Sequence, residues 1–354
     1  MIENYLTSVK EALWQLPVSS VSVDEAQLAL HLRQGTATLV FPRLTMTPAM
    51  KAVCVSTMQQ QVKLHHTLTQ AWTALIAAGI RPLLMKGAGL AALYAEPQLR
   101  AWGDIDLFVG KDQYHPACAV MRDTFPDALK FDEELDHYKH YNIIADGVSI
   151  ETHRVSISFA HPADVRRYAA IEAYGMSNPE KLTLNGLDIL VPEPTFNALF
   201  VCLHSWEHMQ TSGANVRQLC DLALLLHTHA DSINRPLLQR WLKALRMTDV
   251  WQLYMYILVQ YLGLPQNEAP FFSDRVAGRA ARLINDLLSG KMVAPKPDSS
   301  APKNRFARKL HTMRERMRNA DRMAAYTPAY ARHMKAAILL SGLKRLFAKD
   351  RHWE

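Results

Sequence analysis

The sequence predicts an α+β protein, and three observations lead there. A strand–turn–helix–strand unit is written into residues 82–109. Two further strand pairs are marked by Asp146-Gly147 and Asn185-Gly186, dipeptides suited to two-residue hairpin turns. From Thr195 to about Leu288 the apolar spacing is helical throughout, so the C-terminal half is the larger helical part. With 354 residues, about half of them apolar, the chain is long enough for two or three domains around sizeable cores.

Residues 1–60 read as an N-terminal helical segment. Tyr5, Leu6, Val9, Leu13 and Leu16, then Ala26, Leu28, Leu30 and Leu32, carry the spacing, and Asp24-Glu25 suits a helix start. A long helix over about 49–79 stops at Gly79; its Gln59-Gln60-Gln61 and His65-His66 are expected on a wet face.

Residues 61–195 read as an α/β core. Pro82 to Met85 is an apolar strand, and Lys86-Gly87-Ala88-Gly89 a tight turn into a helix over Ala88–Tyr94. Gly103 to Val109 is a strand in which Asp104 and Asp106 share one face while Ile105, Leu107 and Val109 point into a core. Two adjacent carboxylates repel, so the pair calls for a cation, a basic partner or a shared proton. Lys111–Asp123 is expected to be a helix and Tyr141–Ile144 a strand. In Val148–Val155, Ser149, Glu151 and His153 face away from Val148, Ile150 and Thr152. If that strand lies beside the Asp104/Asp106 strand, Glu151 completes a three-carboxylate cluster; otherwise it is a polar strand face. A hairpin is expected over 181–194.

Residues 196–290 form the helical domain, and 291–354 a basic linker followed by helices over 305–323 and 329–348. The tail holds 16 Lys and Arg against 5 Asp and Glu, whereas residues 1–290 hold 24 against 28. Contact with nucleic acid or an anionic membrane therefore has to rest on the tail, which otherwise is a solvated helical face. No transmembrane run and no signal peptide are read, and Cys54, Cys118, Cys202 and Cys220 are scattered. These features point to a reduced, cytoplasmic protein.

Asp-x-Asp beside a glycine turn is the arrangement that phosphoryl or nucleotidyl transfer needs, with carboxylates for metal and backbone N–H groups for phosphate. The series Lys86-Gly87, Leu90, Tyr94, Arg100, Gly103-Asp104-Ile105-Asp106-Leu107 and Val109 resembles the uncharacterised nucleotidyltransferases of the DNA polymerase β-like superfamily, which are similar to the AbiEii-type toxin nucleotidyltransferases. Glu151-Thr152-His153 and His204, His208, Arg217 and Asp221-Leu222-Ala223 continue the likeness over roughly residues 60–290.

The resemblance implies a mixed sheet flanked by helices, with the helical half over a cleft. It also implies two Mg²⁺ ions on Asp104, Asp106 and Glu151, with Mn²⁺ able to substitute, and Glu151 drawing the proton from the attacking hydroxyl. Lys86, Gly87, Gly89 and Arg100 would meet the phosphates of an NTP. The acceptor, whether small molecule, protein or RNA, is not implied. The superfamily's serine after the first glycine is missing here, which leaves Lys86 either a triphosphate ligand or a salt-bridge partner of Asp104 and Asp106. Arg100 is open to pairing with Asp104 or contacting phosphate. His204-Ser205-Trp206-Glu207-His208 also matches a zinc-peptidase pattern, but no second acidic helix motif accompanies it. The preferred reading places His153, His204, His208, Arg217 and Asp221 along the cleft, with a buried polar network as the rival for the last four. The alternatives to an NMP transferase are a non-catalytic nucleotide-binding or regulatory protein and a toxin-like transferase acting on tRNA.

Overall fold

The computed structural model describes residues 2–19, 24–131, 135, 137–159, 161–211, 213–292 and 304–347. The Asp132-Glu133-Glu134 run, most of the expected linker and the side chain of Phe306 on the expected apolar face of the tail helix lie outside the described residues.

Helices α1 (Ile2–Leu13), α2 (Glu25–Arg33) and the short α3 (Ala37–Val40) open the chain. Asp24 caps α2 by accepting the N–H of Gln27. Helix α4 (Pro48–Ala77) begins at a Thr47 cap with Pro48 in its first turn and runs unbroken through residue 60. Leu64, Leu68, Ala71, Trp72 and Leu75 line its buried face at helical spacing. Gln61 belongs to that face, not to the wet one expected: it is buried, and its Nε2 donates to the Arg100 carbonyl at 3.2 Å. His66 is exposed, whereas His65 is half-buried edge-on to Trp102.

A five-stranded mixed sheet follows, built from β1 (Leu83–Leu84), β2 (Asp104–Phe108), β3 (Leu129–Lys130), β4 (His140–Ala145) and β5 (Val148–His153) in the order β1-β2-β5-β4-β3. Only β2 and β5 run parallel. Their crossover carries α6 (Gly110–Thr124), β3 and β4. Between β1 and β2 the helix expected over Ala88–Tyr94 is a single turn, α5 (Ala88–Ala91). The chain leaves it so that the Tyr94 hydroxyl reaches Asp221 at 2.7 Å. One turn aligns too few peptide dipoles to hold an anion by itself.

The turn between β4 and β5 has φ of 48° at Asp146 and 74° at Gly147, and the one between β6 (Pro179–Leu184) and β7 (Leu187–Pro192) has 50° at Asn185 and 80° at Gly186. Positive φ at both central residues suits the twist of a two-residue hairpin. Helix α7 (Pro162–Ser177) precedes that hairpin and was not signalled by the sequence pattern.

The helical half comprises α8 (Pro194–Gln210), α9 (Val216–Thr228), α10 (Arg235–Ala244), α11 (Thr248–Gln260), α12 (Ala277–Leu288), α13 (Arg305–Met323) and α14 (Pro328–Phe347). One apolar cluster joins α4, α6 and the sheet through Trp72, Ile105, Leu107, Tyr114 and Ile150. A larger one fills the helical half around Phe196, Trp206, Trp251 and Tyr254. No described helix is long and apolar enough to cross a membrane.

Candidate active site

Alternation along β2 sends Ile105 and Leu107 into the core and leaves Asp104 and Asp106 on the opposite face. In β5, Val148, Ile150 and Thr152 are buried on the core side, while Glu151 and His153 share the face of the aspartates. The parallel register places Asp106 opposite Glu151 and Phe108 opposite His153. Carboxylate oxygens of Asp104, Asp106 and Glu151 thereby lie within 4.8 Å of one another.

Two basic side chains enter this cluster. Lys86 Nζ lies 2.9 Å from Asp104 Oδ2 and 3.1 Å from Asp106 Oδ2. His153 Nε2 lies 3.0 Å from Asp106 Oδ1 and 3.1 Å from Glu151 Oε2. Burial works against the charged forms of both, but the surrounding carboxylates outweigh it and raise both pKa values. For Glu151, burial raises the pKa, and the His153 hydrogen bond together with the charges of His153, His140 and Lys86 more than reverses it, leaving the carboxyl at about 2.

The turn after β1 is shaped around this lysine. Gly87 adopts φ 59°, ψ −119°, and a Cβ there would stand 2.9 Å from Trp102 Cε3, so the position requires glycine. The N–H of Gly89 is committed to the Lys86 carbonyl at 3.2 Å. Arg100 is buried and turned away from Asp104. It makes a two-pronged pair with Asp221 on α9, at 3.0 Å from Nε and 2.5 Å from Nη2, and its Nη1 donates to the Gly87 carbonyl at 3.3 Å. Arg217 donates to the Ala101 carbonyl. Tyr94, Arg100 and Asp221 thus form a buried polar network that fastens the glycine turn to α9.

His204 and His208 lie elsewhere, with their Nε2 atoms 3.0 Å apart on one face of α8. Burial, and next the charge of Lys86, lower both pKa values, and Lys139 and His153 act on His204 in the same direction. The charge of Lys86 is thus felt at both histidines, although among the described residues neither is grouped with the carboxylates. Glu207 between them pairs with Lys139 at 2.7 Å, and among the described residues no third ligand joins the two histidines, contrary to the zinc-peptidase pattern.

One neighbour escaped the sequence reading. His140 on β4 faces His153 on β5, with ring centroids 4.9 Å apart, and its Nδ1 is 3.9 Å from Glu151 Oε2. Burial, partly offset by Glu151, brings its pKa down to about 4. The signal was present: a two-residue turn at Asp146-Gly147 fixes the hairpin register and sets His140 opposite His153.

The donor set fits divalent cations. Three carboxylates on two adjacent strands offer hard oxygen ligands, and an imidazole stands beside them. A mixed sheet carrying Asp-x-Asp on one strand, a third carboxylate in register on the next and helices on its flanks is a nucleotidyltransferase-like fold. Residues 25–263 match the family described as uncharacterised nucleotidyltransferase, and the chain belongs to it. No curated protein and no solved structure matches the chain.

Proposed function

We propose that the protein transfers an NMP from an NTP to an acceptor hydroxyl or phosphate, using Mg²⁺, for which Mn²⁺ can substitute. The observation that carries this reading is the meeting of Asp104, Asp106 and Glu151 across the β2–β5 register, beside the Lys86-Gly87 turn. Asp104, Asp106 and Glu151 would hold the ions, which when bound polarise the α-phosphate and offset charge on the leaving pyrophosphate. Lys86 is the ammonium that bridges Asp104 and Asp106, and it would pass to the triphosphate as ions take the aspartates. Glu151 would help hold the ion at the attacking hydroxyl and draw that hydroxyl's proton. His204 and His208 would border the nucleotide on the Lys86 side. Arg100 would act from behind, holding the turn through Gly87.

The test is transfer from each of four α-labelled NTPs with Mg²⁺ or Mn²⁺, offering the protein itself and total RNA as acceptors. Asp104→Ala and Asp106→Asn should each lower labelling by about two to three orders of magnitude while leaving the fold intact. Full activity in either variant would sink the assignment.

The Lys86 ion pairs favour a second reading, a non-catalytic nucleotide-binding or regulatory protein whose aspartates are permanently neutralised. Calorimetry separates the two. Metal-dependent tightening of NTP binding that disappears in Asp106→Asn supports the enzyme, and NTP binding indifferent to metal supports the rival.

A further inference from the structure

We propose that Glu151, His153 and His140 form a nitrogen-containing metal position, so that one of the two cation positions takes a first-row transition ion such as Mn²⁺ in preference to Mg²⁺. The inference rests on the reading of the site as metal-dependent and specifies its chemistry further. Glu151 is common to two groups of close ligand atoms: it joins Asp104 and Asp106 on one side, and His140 and His153 on the other. The first group is all oxygen. The second is one carboxylate and two imidazoles, contributed by paired strands whose register is fixed by the Asp146-Gly147 turn.

Both histidines are oriented for the task. His153 Nε2 points between Asp106 and Glu151 at 3.0 and 3.1 Å, so its nitrogen is aimed at the point where their oxygens converge. His140 Nδ1 is buried, makes no hydrogen bond to a described residue, and is directed at Glu151 Oε2. Mg²⁺ favours oxygen donors and keeps its waters, whereas imidazole nitrogen suits later first-row ions increasingly well. Lys86 touches only Asp104 and Asp106 in this cluster, so the imidazole side is free of the ammonium.

Another histidine–carboxylate group, His161, Asp164 and His333, does not share these features. Asp164 is held by Arg167 at 2.8 Å. His333 Nδ1 faces Arg246, an obligatory donor, so its other nitrogen carries the proton given to Asp164. That group is a hydrogen-bonded tie between α7 and α14.

The experiment is a Mn²⁺ titration of the chelator-treated full chain, alone and with each NTP, followed by pulsed electron paramagnetic resonance for ¹⁴N coupling. Wild type should bind Mn²⁺ at least about tenfold more tightly than Mg²⁺, with directly bound nitrogen in the spectrum. His153→Gln and His140→Asn should each weaken Mn²⁺ by roughly tenfold or more and reduce the nitrogen coupling. Mg²⁺ binding that survives in both variants would show that they fold and that Asp104 and Asp106 still bind. Tight Mn²⁺ binding without nitrogen coupling would overturn the inference and leave the carboxylate site standing. Coupling lost in His153→Gln but intact in His140→Asn would remove His140 from the ligand set. No Mn²⁺ binding under any condition would overturn both this inference and the metal-dependent reading beneath it.

Discussion

Lys86 decides how the carboxylate cluster behaves as a set of charges. Asp106 is 2% exposed and its neighbours Asp104 and Glu151 carry the same charge, so the lysine and His153 together keep three carboxylates tolerable on one sheet face. Lys86→Met should therefore destabilise the chain by about 3 kcal/mol in the presence of chelator. Divalent cations should restore part of that, since an ion at 100 times its Kd adds about 2.7 kcal/mol. Thermal melts with and without Mg²⁺ or Mn²⁺ check it: the metal-induced rise in Tm should be larger in Lys86→Met than in wild type. A variant as stable as wild type in chelator would show that the ammonium is not needed there. His31 gives the clearest pH effect at this scale. It is fully buried on α2, with Nε2 3.2 Å from Ser8 Oγ and Nδ1 3.0 Å from Thr36 Oγ1, and Tyr5 also reaches Thr36. Burial lowers its pKa from 6.5 to about 4. The unfolded chain takes up this proton as pH falls through 6.5, the folded chain only near 4. Stability is thus unaffected above 6.5 and declines between 6.5 and 4, by up to about 3 kcal/mol from this residue. Urea denaturation at pH 7, 6 and 5 should show that decline, and it should be shallower in His31→Gln; equal slopes would refute it.

Elements bring these residues together, and they differ in how plainly the sequence announces them. The two carboxylate-bearing strands are legible because β2 and β5 alternate cleanly, Asp104/Asp106 against Ile105/Leu107 and Glu151/His153 against Val148/Ile150/Thr152. Both hairpins are legible because Asp-Gly and Asn-Gly tolerate the positive φ their turns demand. The Arg100–Asp221 pair is not, since it joins a loop to a helix 121 residues away and no local pattern encodes that distance. Gln61 misleads for the same reason: a glutamine reads as solvent-facing until a carbonyl on a distant loop claims it. Nor does spacing alone say whether Lys86 serves phosphate or carboxylate. The Arg100–Asp221 pair predicts its own effect. Both side chains are buried and Tyr94 donates to the same aspartate, so Asp221→Ala strands a guanidinium beneath the glycine turn. It should cost about 3–5 kcal/mol. If Arg100 acts by holding Gly87, a surviving population should show weaker NTP binding as well as a lower denaturation midpoint. Unchanged stability would argue that the network is dispensable.

At the scale of the whole molecule, the basic C-terminal helices are both part of the core and a charged surface. Met323 and Tyr330 are buried in the larger apolar cluster. Arg279 reaches both Asp249 and the Tyr326 carbonyl, and the Tyr326 hydroxyl donates to Asp286 at 2.8 Å. Removing the tail would therefore uncover apolar surface and confound any binding test. Helix α13 also meets the C-terminal end of α8, where Asn319 donates to the Gln210 carbonyl and Arg322 to that of Met209, directly after His208. A polyanion lying along α13 would thus run toward α8, the helix that carries His204 and His208. Arg314 and Arg316 are both exposed on α13. Glutamate at both positions should leave stability within about 0.5 kcal/mol. If this helix holds the RNA of a tRNA-type acceptor, the double variant should bind RNA more weakly and lower the slope of log K against log salt by about 1.5, because each lost phosphate contact removes roughly 0.7–0.9. Transfer to a small acceptor should not change. Anionic vesicles run in parallel separate RNA from general polyanion attraction. An unaltered salt slope would assign Arg314 and Arg316 to solvent and return the acceptor question to the carboxylate cluster and Lys86.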